Sequence, residues 1–384
     1  MTLSLTEEYP GTTALPRVAL CDLPTPLEDG IDLPPGDEAE QHRPVREMLV
    51  KRDDLTSTRY GGNKVRKLEF LLGQARAEER DAVLTFGAYG SNHALATAVH
   101  ARALGIEPHV VLSPQAPGPF AARTLRAHAG LGTVIHLAEG WDGTREAVRV
   151  RRELRERGSD PLVIPMGGTN AVGAIGYVNA AFEISAQMRD AGRELTGAAP
   201  GVSYVPGGTL GTAIGLAVGF AAVARMDKRS ATRVVAVRVT PGEVANEPFA
   251  RALTTETVAL LRSLDATFPD VGYDDLAFEL RDEFFEPGYG VPTPDTVTAV
   301  ELAAARGLKL ETTYTGKALF AMLADVDSGR LSPDSEPVLF WDTYNSAPYP
   351  PAGPDEALPA VLREYVAECD RLFGGPGSGM EATT

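Results

Sequence analysis

Seven short β-type runs, separated by amphipathic segments of helical length, set the strongest limit on how this chain folds. The runs cover residues 82–86, 109–112, 133–137, 161–165, 202–205, 233–239 and 338–341. Between them lie segments with helical patterning, among them 91–104, 143–157, 173–191, 212–224 and 294–306. Strand–helix–strand alternation at this spacing argues for an α/β fold with largely parallel sheets and flanking helices. A length of 384 residues allows two or three domains at roughly 150 residues each, with core enough to need no disulfide or metal staple.

Composition narrows the partners. Lys plus Arg number 36 and Asp plus Glu 52, a formal charge of −16. That acidic excess argues against nucleic acid or an anionic membrane, either of which needs a basic face. A small anion is still within reach, because backbone donors can hold one whatever the net charge. Cys21 and Cys369 lie near opposite ends and have neither CxxC nor metal-ligand spacing, so they read as reduced thiols. The six histidines show no HExxH or other ligand pattern, so no metal is expected; His93 and His100, seven apart on one helical face, read as packing. The N-terminus is acidic where a signal peptide is basic and apolar, and no apolar run reaches the roughly 18 residues of a membrane span. A cytoplasmic protein is expected. Residues 28–45, acidic and Pro-rich, read as a surface loop or insertion, and 374–384 as a disordered tail.

In open α/β sheets, ligands collect where strand C-termini hand over to helix N-termini. Two segments have that character. In the first, TFGAYGSNHALA, a strand ends near Gly87 and a helix begins near Ser91. The second is Gly207-Gly208-Thr209-Leu210-Gly211-Thr212, whose glycines allow close backbone approach and whose hydroxyls suit one phosphate group. It matches neither GxGxxG nor the Gly-Lys-Ser/Thr ending of a P-loop, which weakens the dinucleotide and nucleoside triphosphate readings.

A third segment, KRDDLTSTRYGGNKVRKLEFLL, closes a short strand with Lys51 to Asp54 and then turns at Gly61-Gly62. A helix follows that points Val65, Leu68 and Leu71 or Leu72 inward. A lysine just after such a turn can be held with its amine facing a pocket, as a Schiff-base lysine requires. On the residues alone, the favoured reading of Lys64, Arg66 and Lys67 is as solvated surface cations. Asp53-Asp54 and Asp282-Glu283 read as loop or salt-bridge residues rather than general acids.

Taken together, GGNKVRKLE, SNHA, IPMGGTNAVGAIGYV, the 207–212 loop, EPGYGVP, TYTGKALFAML and VLFW follow one another in an order that resembles the pyridoxal-phosphate enzymes of tryptophan synthase β-like fold (fold type II). Within them the chain resembles the 1-aminocyclopropane-1-carboxylate (ACC) deaminase / D-cysteine desulfhydrase family over about residues 15 to 350. The resemblance implies that Lys64 holds pyridoxal 5′-phosphate as a Schiff base and, once displaced, serves as base. It further implies that the 207–212 loop, with Lys67, holds the phosphate, that Asn92 bonds the ring hydroxyl oxygen, and that Thr315 faces the ring nitrogen. Ser91, with backbone donors at Asn92 and His93, would bind the substrate carboxylate. Tyr289 and Tyr314 match the family's two active-site tyrosines, and Thr343 and Tyr344 fall on the substrate wall. Two domains are implied: a large one of residues 1–66 plus 174–373, and a small inserted one of 67–173. A homodimer is implied as well.

Two positions bear on substrate. Deaminases resemble Tyr-Glu-Gly-Lys where this chain has Tyr314-Thr315-Gly316-Lys317, and they have Leu where it has Thr343. Both favour the desulfhydrase-like side. A hydroxyl facing the ring nitrogen makes a weaker electron sink than a carboxylate would, which suits elimination of a good leaving group. The expected reaction is α,β-elimination on a small amino acid, D-cysteine or a relative, giving keto acid and ammonia. The alternatives are ring-opening deamination, racemisation, β-replacement, and a pseudo-enzyme that only binds cofactor or ligand. The chain departs from the family at Asp342-Thr343-Tyr344-Asn345, where His-Thr-Gly-Gly is usual, and at Gly90, where Gln is usual. These changes predict a rebuilt substrate wall and a larger or differently polar amino acid.

Overall fold

The computed structural model describes residues 2–32, 47–140, 143–192, 201–331 and 338–375. Among them, ten strands form two sheets. The larger contains β1 (Leu27–Asp32), β2 (Glu47–Arg52), β7 (Val202–Gly207), β8 (Arg233–Arg238), β9 (Phe278–Arg281) and β10 (Val338–Asp342), in the order β1-β2-β10-β7-β8-β9. Only β1 and β2 run antiparallel. The smaller sheet is wholly parallel, in the order β5-β4-β3-β6, from β3 (Ala82–Ala88), β4 (Glu107–Ser113), β5 (Val134–Leu137) and β6 (Leu162–Val163).

The side-chain period of two sorts the central strands between two cores. Leu339 and Trp341 of β10, Val205 of β7 and Leu49 of β2 face α6 (Ala171–Asp190) and α7 (Gly211–Asp227). Val338, Phe340, Val202, Tyr204, Met48 and Val50 face the opposite side, toward α9 (Pro294–Ala304) and α10 (Thr315–Asp327). Trp341 is fully buried and donates its indole N–H to Ser203 Oγ at 2.8 Å. Truncating a core Trp of this kind to Ala costs about 3–5 kcal/mol.

The remaining helices are α1 (Ser4–Glu8), α2 (Lys64–Ala77), α3 (Asn92–Ala103), α4 (Pro119–Leu131), α5 (Thr144–Glu156), α8 (Glu247–Leu264) and α11 (Ala360–Phe373). From the C-terminal end of the chain, α11 crosses to the smaller sheet: Leu362 and Val366 join Val110, Leu112 and Leu125 in one cluster. Arg126 of α4 clamps this helix by pairing with Asp355 and Asp370. Among the described residues, no helix is long and apolar enough to cross a membrane.

All seven predicted strands are present, with ends shifted by up to two residues. The stretch 28–45, expected as a loop, begins instead as the body of β1; residues 33–46 lie outside the described residues, as do 376–384 of the expected tail. β1 is an edge strand rich in acidic residues and β9 an edge strand of four residues with apolar and charged side chains alternating, so no apolar run announces either.

Candidate active site

Strands β2, β3, β7 and β10 all send their C-terminal ends toward one cleft, and the predicted residues gather there around a cavity of about 80 Å³. Lys64 opens α2 immediately after the Gly61-Gly62 turn. Gly62 has φ +89°, and a Cβ on it would lie 2.7 Å from the Tyr344 carbonyl oxygen, so only glycine fits. The loop after β10 fastens this turn. Gly61 N–H donates to Asn345 Oδ1 at 2.7 Å, and Asn63 N–H to the Thr343 carbonyl at 3.1 Å.

One turn into α2, Arg66 is buried in a network of charges. Its guanidinium donates to both oxygens of Asp53, at 2.9 and 2.7 Å, and to both of Glu183, at 3.0 and 2.9 Å. Lys51 reaches Glu183 at 2.7 Å, and the Tyr177 hydroxyl donates to Asp53 at 2.6 Å. Asp54 pairs with Arg52 at 2.9 Å, so both aspartates are ion-pair residues as the sequence suggested. The solvated-cation reading of Lys64, Arg66 and Lys67 is corrected: Arg66 and Lys67 are each 1% exposed, and Lys64 lines the cavity.

Among the described residues, the Lys64 amine has no hydrogen-bond or ion-pair partner, and desolvation brings its pKa down to about 8. Lys67 is pushed well below the usual lysine range, by burial first and by the Lys64 charge second. Its Nζ donates to the Gly167 carbonyl at 3.1 Å and to Thr169 Oγ1 at 3.3 Å.

Lys67 stands at the start of α7. That helix follows Leu210, which has φ +57° and offers no side-chain cap. Among the described residues, the first-turn N–H groups of Thr212 and Ala213 have no acceptor. A Cβ on Gly211 would come within 2.5 Å of Thr169 Oγ1 and 2.8 Å of Lys67 Nζ, and Thr169 and Thr209 share a hydrogen bond of 2.6 Å. An uncapped helix N-terminus, a lysine amine and two hydroxyls make a cradle for one compact anion such as a phosphate. Gly208, Thr209, Leu210, Gly211 and Thr212 line the cavity; Gly207 does not, being taken up as the last residue of β7.

The smaller sheet supplies the facing wall. Ser91 caps α3 by accepting the Ala94 N–H at 3.2 Å, and the N–H groups of Asn92 and His93 have no acceptor among the described residues. Asn92 Oδ1 accepts from the Tyr60 hydroxyl at 3.0 Å. His93 pairs with Thr85 at 2.8 Å and is held neutral, by burial first and then by Lys64 and Lys67. Gly90, which stands where the resemblance leads one to expect Gln, sits against Ala121, and its N–H donates to Gln115 Oε1 at 2.9 Å. A carboxamide is therefore present beside this position, supplied from the loop after β4.

The hydroxyls of Tyr289 and Tyr314 are 2.6 Å apart with their rings edge-on. Burial pushes Tyr289 up to about 12 and Tyr314 well above the usual phenol value, so both stay protonated. Thr315, fully buried at the start of α10, accepts the Glu311 N–H at 3.0 Å. The Glu311 carboxylate in turn accepts the N–H groups of Thr313, Tyr314 and Thr315, at 2.8, 2.8 and 2.9 Å. Sequence reasoning passed over Glu311. Its signal is an acidic residue three before Tyr314, where a carboxylate can cap the helix that presents Thr315.

Thr343 and Tyr344 line the cavity, whereas Asn345 does not; its amide ties Gly61 to Ala347 instead. Of the two substituted glycine positions, one builds the wall and the other holds the lysine turn. Asp342 is buried, and its carboxyl is raised well above the usual range, by burial first and by Asp54 second.

Over residues 18–343 the chain matches the family described as "Pyridoxal-phosphate dependent enzyme". It is 34% identical to the D-cysteine desulfhydrase of Klebsiella pneumoniae subsp. pneumoniae, spanning 86% of this chain and 94% of that one. The D-cysteine desulfhydrase of Salmonella paratyphi A is also 34% identical, over the same shares. The crystal structure of an ACC deaminase homologue superposes with a TM-score of 0.71 at 27% identity, covering 90% of this chain and 96% of that one.

Proposed function

This chain belongs to the pyridoxal-phosphate dependent enzymes of fold type II and is related to the ACC deaminase and D-cysteine desulfhydrase family; on that premise we propose that it is a lyase catalysing α,β-elimination on a small β-substituted amino acid. The observation that carries the proposal is the unpartnered Lys64 amine facing an uncapped, lysine-flanked helix terminus across one cavity. An amine for a carbonyl and a cradle for a phosphate are the two features the cofactor needs, so the residues fit it.

Lys64 would hold the cofactor covalently, the Gly208–Thr212 loop with Lys67 would take its phosphate, Asn92 its ring hydroxyl oxygen, and Thr315 its ring nitrogen. Bound there, the cofactor supplies an electron sink for the substrate's α-carbon. The protein's own residues would do the rest. Ser91 and the N–H groups of Asn92 and His93 bind the substrate carboxylate at the positive end of α3. Lys64, near neutral because it is desolvated, takes the α-proton. The protonated Tyr289–Tyr314 pair donates to the group that leaves the β-carbon. Relatives named D-cysteine desulfhydrase support a thiol-type leaving group, as does Thr315 in place of a carboxylate.

Titrating cofactor-stripped protein with pyridoxal phosphate is expected to produce a protein-bound band at about 410–430 nm that Lys64→Ala does not form. The same band in Lys64→Ala would remove Lys64 from this role.

A further inference from the structure

A second cavity, of about 250 Å³, adjoins the first. Asn92, Tyr289, Glu311, Tyr314 and Tyr344 line both, so the three tyrosines stand at the junction. Beyond them the wall turns apolar: Phe120 of α4, Pro292, Val297 and Val300 at α9, and Phe373 at the end of α11. Among the described residues, no Lys, Arg or His lines this space, and its charged side chains are Glu301 and Glu311. Such a chamber repels an anionic group and favours a neutral apolar one.

The first cavity accounts for the amino, carboxylate and α-carbon ends of an amino acid, which leaves the β-substituent facing the tyrosine junction. We infer that the substrate is a cysteine whose sulfur carries a neutral apolar group, an S-alkyl or S-aralkyl cysteine, with the group seated in the second cavity. This rests on the elimination reading and specifies its substrate class. At the junction the sulfur meets three aromatic rings, a favourable contact for a thioether. A thiolate also leaves more readily than an alkoxide, as a hydroxyl rather than a carboxylate at position 315 requires.

The step balances without an oxidant or reductant. The Cα–H bond breaks and its proton goes to Lys64; the Cβ–S bond breaks and its electron pair leaves with sulfur, which takes a proton from the Tyr289–Tyr314 pair. One water then completes R–S–CH2–CH(NH3⁺)–COO⁻ + H2O → R–SH + CH3–CO–COO⁻ + NH4⁺.

The test measures kcat/KM of the holoenzyme for both enantiomers of cysteine and of S-methyl-, S-butyl- and S-benzyl-cysteine, with cysteic acid and O-phosphoserine as anionic controls. The active enantiomer is expected to gain about fourfold per added methylene and at least about tenfold for S-benzyl over cysteine, with the anionic compounds poorest. Val297→Phe, at a 36% exposed position on α9, is expected to cut the S-benzyl/cysteine ratio at least about tenfold by filling the chamber. A second readout needs no turnover: calorimetry is expected to show 2-amino-5-phenylpentanoate, which has no leaving group, binding at least about tenfold tighter than alanine. If cysteine reacts while the S-substituted series is flat or falling and the phenyl analogue binds no better than alanine, this inference is overturned and the elimination reading stands. If no compound reacts, both fall.

Discussion

At the residue scale the proposed function depends on one amine. An ordinary lysine is under about 1% neutral at pH 8, whereas Lys64, brought down to about 8 by burial, is half neutral there. Its folded-state value lies below its unfolded one, so the neutral form is the one the fold favours, and protonation on acidification opposes it. Cofactor uptake by stripped protein is therefore expected to rise from pH 6.5 to 9 with a midpoint about pH 8, read as the initial rate of growth of the visible band. A midpoint near 10 would mean an amine open to water. The Gly-Gly turn ahead of Lys64 was legible in the sequence as a local motif, whereas the burial of Lys64 was not, since on the residues alone it read as a solvated cation. Nor was Asn345: its bond to Gly61 joins residues 284 apart, a pairing that only the fold creates. The same holds for Tyr60 behind Asn92 and Gln115 beside Gly90.

Among the elements, the start of α7 bears most directly on the cradle. Ser91, Asn170, Asn246 and Thr293 cap α3, α6, α8 and α9 with a side-chain oxygen. The other helices lack such a cap, and among them α7 begins on the left-handed Leu210 and opens onto the cavity. An end without a cap leaves its N–H groups for a ligand, at a cost of about 1 kcal/mol relative to a capped helix. Gly211→Ala would press a methyl into Thr169 and Lys67, and is expected to weaken pyridoxal phosphate binding at least about tenfold by displacing both from the cradle. Equilibrium dialysis reads the affinity, with circular dichroism as a check that the fold is kept. Unchanged affinity would place the phosphate elsewhere. Central strands and amphipathic helices were readable because burial on both faces, or on one stripe, writes itself into residue order. The edge strands β1 and β9 were not, since their stability comes from one neighbour rather than from an apolar run.

Across the whole molecule, the buried network of Lys51, Asp53, Arg66 and Glu183 ties β2, α2 and α6 together behind the cleft. Removing one partner strands a buried charge, so Asp53→Ala is expected to lose about 3–5 kcal/mol in urea denaturation at pH 7. Burial alone would raise the Glu183 carboxyl, but Arg66 and then Lys51 outweigh it and hold it down to about 2. A carboxylate depressed in the folded state contributes stability that is full above its unfolded value and is lost as pH falls toward about 2. The wild-type protein is therefore expected to weaken between about pH 4.5 and 2, and Glu183→Gln to lose less over that interval. The second cavity also belongs to this scale, because α4, α9 and α11 meet there from distant parts of the chain and no stretch of sequence announces it. The most direct test of the account is release of keto acid and ammonia from a panel of D- and L-amino acids with β-substituents, by protein loaded with pyridoxal phosphate. One enantiomeric series is expected to give equal amounts of both products, and Lys64→Ala to give neither. Absence of release from every member of the panel by fully loaded wild-type protein would contradict it.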